Sequence, residues 1–261
     1  MISLRAGSML VTVDPTLGGS IVRAEHGGKA LLRGNLDACD PREGGCFPLT
    51  PFCGLLPEQG FSWQGGLVKP KPNLLNFKVA VHGYAWLNPW RVDRQLNNEL
   101  TLTQLYQATD WPWDYSVKQC IKLHHDSFEQ SIEVKNLSQE TAPVGLGLHP
   151  YFPICKESVF QSPDTEYSNG ISADQLTFDR GIRNWTGSAR LKTENHQVAL
   201  TAVSSTKCFL ALYRPEGAPY LCLEPITQRL DSATPDDIEQ GFDTLQAGEV
   251  LTLSMTVKVL G

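Results

Sequence analysis

Three side chains in this chain are of the types that proton transfer requires: His149 in GLGLHPYFP, His82 in KVAVHGYAWLNPW and Glu224 in PYLCLEPIT. An imidazole titrates nearest to neutrality, and a carboxylate in an apolar setting is raised toward the range where it acts as a base. Glu224 follows four nearly apolar residues and precedes a proline. Burying it without partners would cost several kcal/mol, so it is paired, exposed at a strand end, or functional. Read as a strand, GLGLHPYFP puts Leu146 and Leu148, with the preceding Val144, on one face; Gly145, Gly147, His149 and Tyr151 share the other. Interior glycines weaken a strand unless something must approach its backbone closely. Either a ligand approaches, with His149 at its edge, or a bulky neighbour does, and His149 is a core histidine.

A strand reading of KVAVHGYAWLNPW sets Ala80, His82, Tyr84 and Trp86 on one side. Aromatic faces stack on the apolar faces of pyranose rings while polar groups bind hydroxyls, so this lining suits a sugar; it is equally the content of an ordinary core. In IKLHHDS the rings of His124 and His125 point to opposite faces just before a turn, which makes them surface residues. Asp179 in FDRGIRNWTG either shapes a turn or binds a ligand, and WPWDY at 111–115 is a core plug or a rim.

The elements that must position these residues are strands. SMLVTVDP, SIVRAEHGG, ELTLTQLYQATD, YSVKQCIKLHHD, SFEQSIEVKNLS, HQVALTAVSS, CFLALYRPEG, PYLCLEPIT and EVLTLSMTVKVLG alternate apolar and polar residues, or run β-branched, and close on turn signals. Breakers arrive every ten or so residues, the rhythm of an antiparallel sandwich, so the spacing predicts an all-β chain with one domain over 1–261. Residues 34–78 and 154–187 break that rhythm and read as long surface loops. SATPDDIEQGFDTL invites a short helix, with Ser232 or Thr234 as its cap.

Composition narrows the function classes. The 261 residues carry a net charge of −6 without a basic stripe, which argues against nucleic acid. No apolar run approaches bilayer length, and MISLRAGSMLVTVDP lacks the apolar block of a secretion signal, so the expectation is a cytoplasmic protein with no membrane contact. Seven cysteines cannot all pair; they are expected to be buried free thiols in a reducing compartment. No HExxH or paired CxxC is present, so no metal is expected.

Taken in order, HGYAWLNPW, WPWDYSVKQCIKL, GLGLHPYFP, FDRGIRNWTG, LCLEPIT and LQAGEVLTLSMTVKV resemble the aldose 1-epimerase (galactose mutarotase) family along the whole chain. The resemblance implies a β-supersandwich of large antiparallel sheets around an open cleft. It also implies interconversion of the α and β anomers of a free sugar, with no cofactor, no metal and no protein partner. By the same resemblance Glu224 is the general base and His149 the general acid, His82 and Asp179 bind sugar hydroxyls, and Trp86 and Tyr151 join the substrate site. The glycine face would then be the floor under a pyranose, and a nearby carboxylate would help keep His149 charged.

The chain departs from the family at PFCGLLPEQG, where Gly54 and Leu55 stand in place of an Asn–Arg pair whose arginine contacts sugar hydroxyls. Two further readings follow: a sugar-binding or regulatory module without turnover, and a hexose 6-phosphate mutarotase. For the latter, only Lys69 and Lys71 stand near the motifs as phosphate partners.

Overall fold

A computed structural model describes residues 1–163, 165–175, 179–182, 184–230 and 241–261. The alternating segments form a nine-stranded antiparallel sheet in the order Ile171–Ser172, Val159–Gln161, Ser188–Lys192, Gln197–Ser204, Val250–Leu260, Ser127–Asn136, Tyr115–Leu123, Glu99–Tyr106 and Arg91–Gln95. In Tyr115–Leu123 the inward residues Val117, Gln119, Ile121 and Leu123 are buried, while Lys118 and Lys122 face solvent. Leu251, Leu253, Met255 and Val257 do the same in Val250–Leu260, so a period of two turns one face into core.

A four-stranded meander from Ile2–Ala6 to Lys29–Leu32 and a six-stranded sheet complete the framework. The six-stranded sheet carries the candidate residues. Its central strand, Tyr220–Ile226, lies between Phe209–Tyr213 on one side and Gly147–Leu148 with Tyr151–Pro153 on the other. Buried amides tie the layers together: the Gln130 side chain donates to Gln119 at 2.7 Å, and Gln119 donates to the Gly19 carbonyl at 2.8 Å. The Cys46 thiol donates to Gln130 at 3.2 Å, anchoring the segment that leads into Phe47. All three partners are satisfied inside the core, as buried polar groups must be.

Three sequence expectations change. Residues 34–78 are surface loop only in part: Leu36, Leu67 and Leu75 are exposed, but Phe47, Phe52 and Phe61 are fully buried, and Phe61–Trp63 pairs with Gly66–Val68 in a hairpin. KVAVHGYAWLNPW is not a strand, because His82 and Gly83 turn left-handed (φ +58° and +71°) and Ala85–Leu87 is a 3-10 turn. Cys39 is exposed and Cys120, Cys155 and Cys208 are half-buried, whereas Cys46, Cys53 and Cys222 are buried as expected; all seven cysteines are free. Trp111 proves to be core, packed 5.3 Å from both Phe52 and Trp113. Of the candidate helix, Ser232 and Thr234 lie outside the described residues, and Asp243–Leu245 is a strand on Ala142–Val144. No helix among the described residues is long and apolar enough to cross a membrane.

Candidate active site

Strand register brings the imidazole and the carboxylate together. Gly147 sits opposite Ile226 and Tyr151 opposite Cys222, so position 149, midway between, falls across from Glu224. On its other edge the 147–151 segment is held by Gly147 against Leu49, by the His149 N–H on the Phe47 carbonyl at 3.0 Å, and by the Tyr151 N–H on the Gly45 carbonyl at 2.8 Å. Pro150, which has no N–H, breaks the ladder between the two short strands. His149 Nε2 then lies 3.2 Å from Glu224 Oε1, and each residue is 3% exposed.

The glycine face is packed rather than open. A Cβ at 145 would lie 2.5 Å from the Gln228 side-chain oxygen, and one at 147 would lie 2.9 Å from each of Cys53, Ile226 and Leu49. These glycines make room for neighbouring side chains, so the expected pyranose floor is replaced by rings. Phe47 stacks on His149 at 4.7 Å and 14°, Tyr151 packs beside it at 4.7 Å and 30°, and Tyr213 meets it edge-on at 6.2 Å. Trp86 is fully buried, stacked on Phe47 at 5.0 Å, with its indole N–H on the Gly83 carbonyl.

His82 stands 5.4 Å from His149, ring to ring. Its Nδ1 accepts the Gly54 N–H at 3.1 Å, and the His82 backbone N–H donates to the Gly54 carbonyl at 2.9 Å. An accepting Nδ1 leaves the ring proton on Nε2, a donor for a ligand oxygen. Burial, with the Arg42 charge adding, pushes His82 down to about 4, which keeps the ring neutral. The left-handed backbone at His82 is a conformation that a non-glycine residue adopts at a cost.

Burial also holds the His149 imidazole well below its ordinary range, with His82 and Arg33 adding to the effect. The sequence expectation weighed only the neighbouring carboxylate; burial of the ring works against it. His149 Nδ1 is buried with no hydrogen-bond partner, so the ring proton is better placed on Nε2, facing Glu224.

These groups border a cleft of about 160 Å³ whose rim includes Leu55, Leu74, Phe77 and Leu230. Among the expected site residues, His82, Trp86, His149, Tyr151 and Glu224 all border it. The Asp179 backbone pairs with Tyr213, while its side chain lies outside what the structure describes. Leu55, in the place of the family arginine, is 54% exposed at the rim. Sequence reading missed Phe47, Tyr213 and Arg42, which also border the cleft. Their local sequences, CFPL, ALYR and DPREGG, carry no chemical pattern; only the tertiary path brings them in. His149, Cys222 and Glu224 place three donor atoms within 4.8 Å of one another, but Cys222 is fully buried behind the wall.

The family model for aldose 1-epimerase matches residues 1–168. The uncharacterized Escherichia coli K12 protein YphB is 26% identical over 98% of this chain and 98% of its own. A solved structure from Escherichia coli K12 superposes with a TM-score of 0.88 at 23% identity, covering 99% of this chain and 98% of that one. A galactose mutarotase-like protein from Lactobacillus casei gives a TM-score of 0.83 at 17% identity over the full length of both. At those identities the two solved structures speak to the fold, which is the galactose mutarotase-like β-supersandwich.

Proposed function

Since this chain belongs to the aldose 1-epimerase family, we propose that it interconverts the anomers of a free aldose by general acid–base ring opening in the cleft at His149 and Glu224. The observation that carries the proposal is the 3.2 Å approach of His149 Nε2 to Glu224 Oε1 on the cleft wall. The anomeric hydroxyl and the ring oxygen sit on one carbon, so two groups this close can address both. Glu224 takes the C1 hydroxyl proton while His149, in its imidazolium form, delivers the Nε2 proton to the ring oxygen and is left as a neutral imidazole. The C1–O5 bond breaks, the aldehyde turns about C1–C2, and reclosure on its other face gives the opposite anomer with the protons returned. A group of this kind typically contributes about 10²–10⁴-fold. His82 Nε2–H supplies a fixed donor to a sugar oxygen, and the surrounding rings exclude water from the pair.

The reading is tested by exchange NMR or polarimetry on a panel of hexoses and pentoses, with Glu224→Gln alongside. Acceleration by the parent and loss of at least about 10²-fold in the variant is expected. Sugar binding without acceleration by the parent would instead identify a binding module.

A further inference from the structure

Among the described residues that border the cleft, Arg42 is the one lysine or arginine. Its side chain is 44% exposed at the rim, on a turn that is firmly built. Asp40 caps the 3-10 turn Pro41–Glu43 by accepting the Arg42 N–H at 2.9 Å, and Pro41 presets the first helical φ. Arg33 ties this turn to the active site: its Nη2 donates to the Arg42 carbonyl and its Nε to the Gly44 carbonyl at 3.2 Å. The Arg33 guanidinium lies 4.0 Å over the Tyr151 ring and 4.6 Å over that of Tyr220. Arg33 thus links the rim turn to the ring packed beside His149.

Asp40 also grips the Arg42 side chain. Nε donates to Oδ1 at 2.9 Å and Nη2 to Oδ2 at 2.6 Å. This fork uses two of the five guanidinium N–H groups and fixes its plane, so the remaining donors point away from the carboxylate in set directions. It also cancels the charge. An anionic ligand reaching Arg42 would meet the Asp40 carboxylate as well, whereas a neutral hydroxyl is oriented without that penalty. Lys71, one of the two lysines near the motifs, is held by Asp110 at 3.1 Å, and neither it nor Lys69 borders the cleft.

We infer that Arg42, oriented and neutralised by Asp40, donates to sugar hydroxyls at the cleft rim, and that the pair makes the site prefer an uncharged aldose over its uronate or phosphate ester. The inference rests on the proposed reading of the cleft as a sugar site. Its test compares the parent, Arg42→Gln, Arg42→Lys and Asp40→Asn by KM and kcat in the exchange assay and by calorimetric Kd. The ligands are one accepted aldose, its uronate and its 6-phosphate. Arg42→Gln is expected to raise KM and Kd for the aldose about tenfold with kcat within about twofold, and Arg42→Lys, which keeps charge but not the fork, to fall between. Asp40→Asn is expected to shift the affinity ratio toward the anionic sugars by about fivefold or more. Arg91→Gln, which removes a similar Arg–Asp pair at 2.8 Å on the nine-stranded sheet, should change none of these. Unchanged aldose affinity in Arg42→Gln, or an unchanged ratio in Asp40→Asn, overturns the inference. A parent that binds sugar without speeding exchange rejects the epimerase reading alone, because the Kd comparison still decides the pair; a parent that binds no aldose overturns both.

Discussion

At the scale of single residues, the candidate site sets a buried histidine 3.2 Å from a buried glutamate beside a cluster of aromatic rings. Because burial depresses the His149 imidazole, the basic limb of kcat/KM should lie on the acid side of an ordinary histidine, with activity falling as pH rises. A profile flat or rising from pH 6 to 9 would reject His149 as the acid. Replacing it by Asn should cost a factor similar to that of Glu224→Gln while near-UV circular dichroism stays unchanged. Stability carries a related signature. Unfolded histidines take up protons near 6.5, but His82 resists until about 4 and His149 is displaced the same way. Between those values the unfolded state binds more protons, so stability present above about 6.5 is lost as pH falls toward 4. Urea midpoints measured from pH 7 to 4.5 should decline less steeply in His82→Asn than in the parent; equal slopes would count against a neutral buried His82.

At the scale of elements, register performs the positioning. The strand Tyr220–Ile226 sees both halves of the broken strand at 147–153, and Gly145 and Gly147 each let neighbouring side chains close against the backbone. Gly147→Ala forces a methyl to within 2.9 Å of Cys53, Ile226 and Leu49. Overpacking of this kind costs about 1–3 kcal/mol, to be read as a lower urea midpoint with an unchanged slope. Gly83→Ala should be worse, since its Cβ would meet the Thr50 carbonyl oxygen at 2.0 Å at a φ of +71°. Most of the strands named from alternation are present, because a period of two survives any tertiary context that keeps one face dry. The short strands at 48–49, 61–63 and 179–182 were not legible, for two to four residues hold no period. The phase of KVAVHGYAWLNPW failed at its His–Gly step, where two left-handed residues reverse the chain.

Over the whole molecule, the large sheet and the site-bearing sheet are coupled through Gln119, Gln130 and Cys46. Gln130→Leu would strand the Gln119 oxygen and the Cys46 thiol in the core. A loss of about 1–3 kcal/mol is expected from denaturant unfolding, and loss of exchange activity at temperatures below the parent's midpoint. The amino-acid sequence by itself determined the all-β class, the long strands and the residue types fit for proton transfer, since these depend on local periodicity and on side-chain chemistry. Whether His149 was a core histidine, whether Glu224 was exposed, and that Arg42 and Phe47 share their cleft were decided only by the tertiary structure. Those facts depend on which distant backbones lie side by side, and cross-strand register between segments some seventy-five positions apart leaves no trace in the local pattern of either.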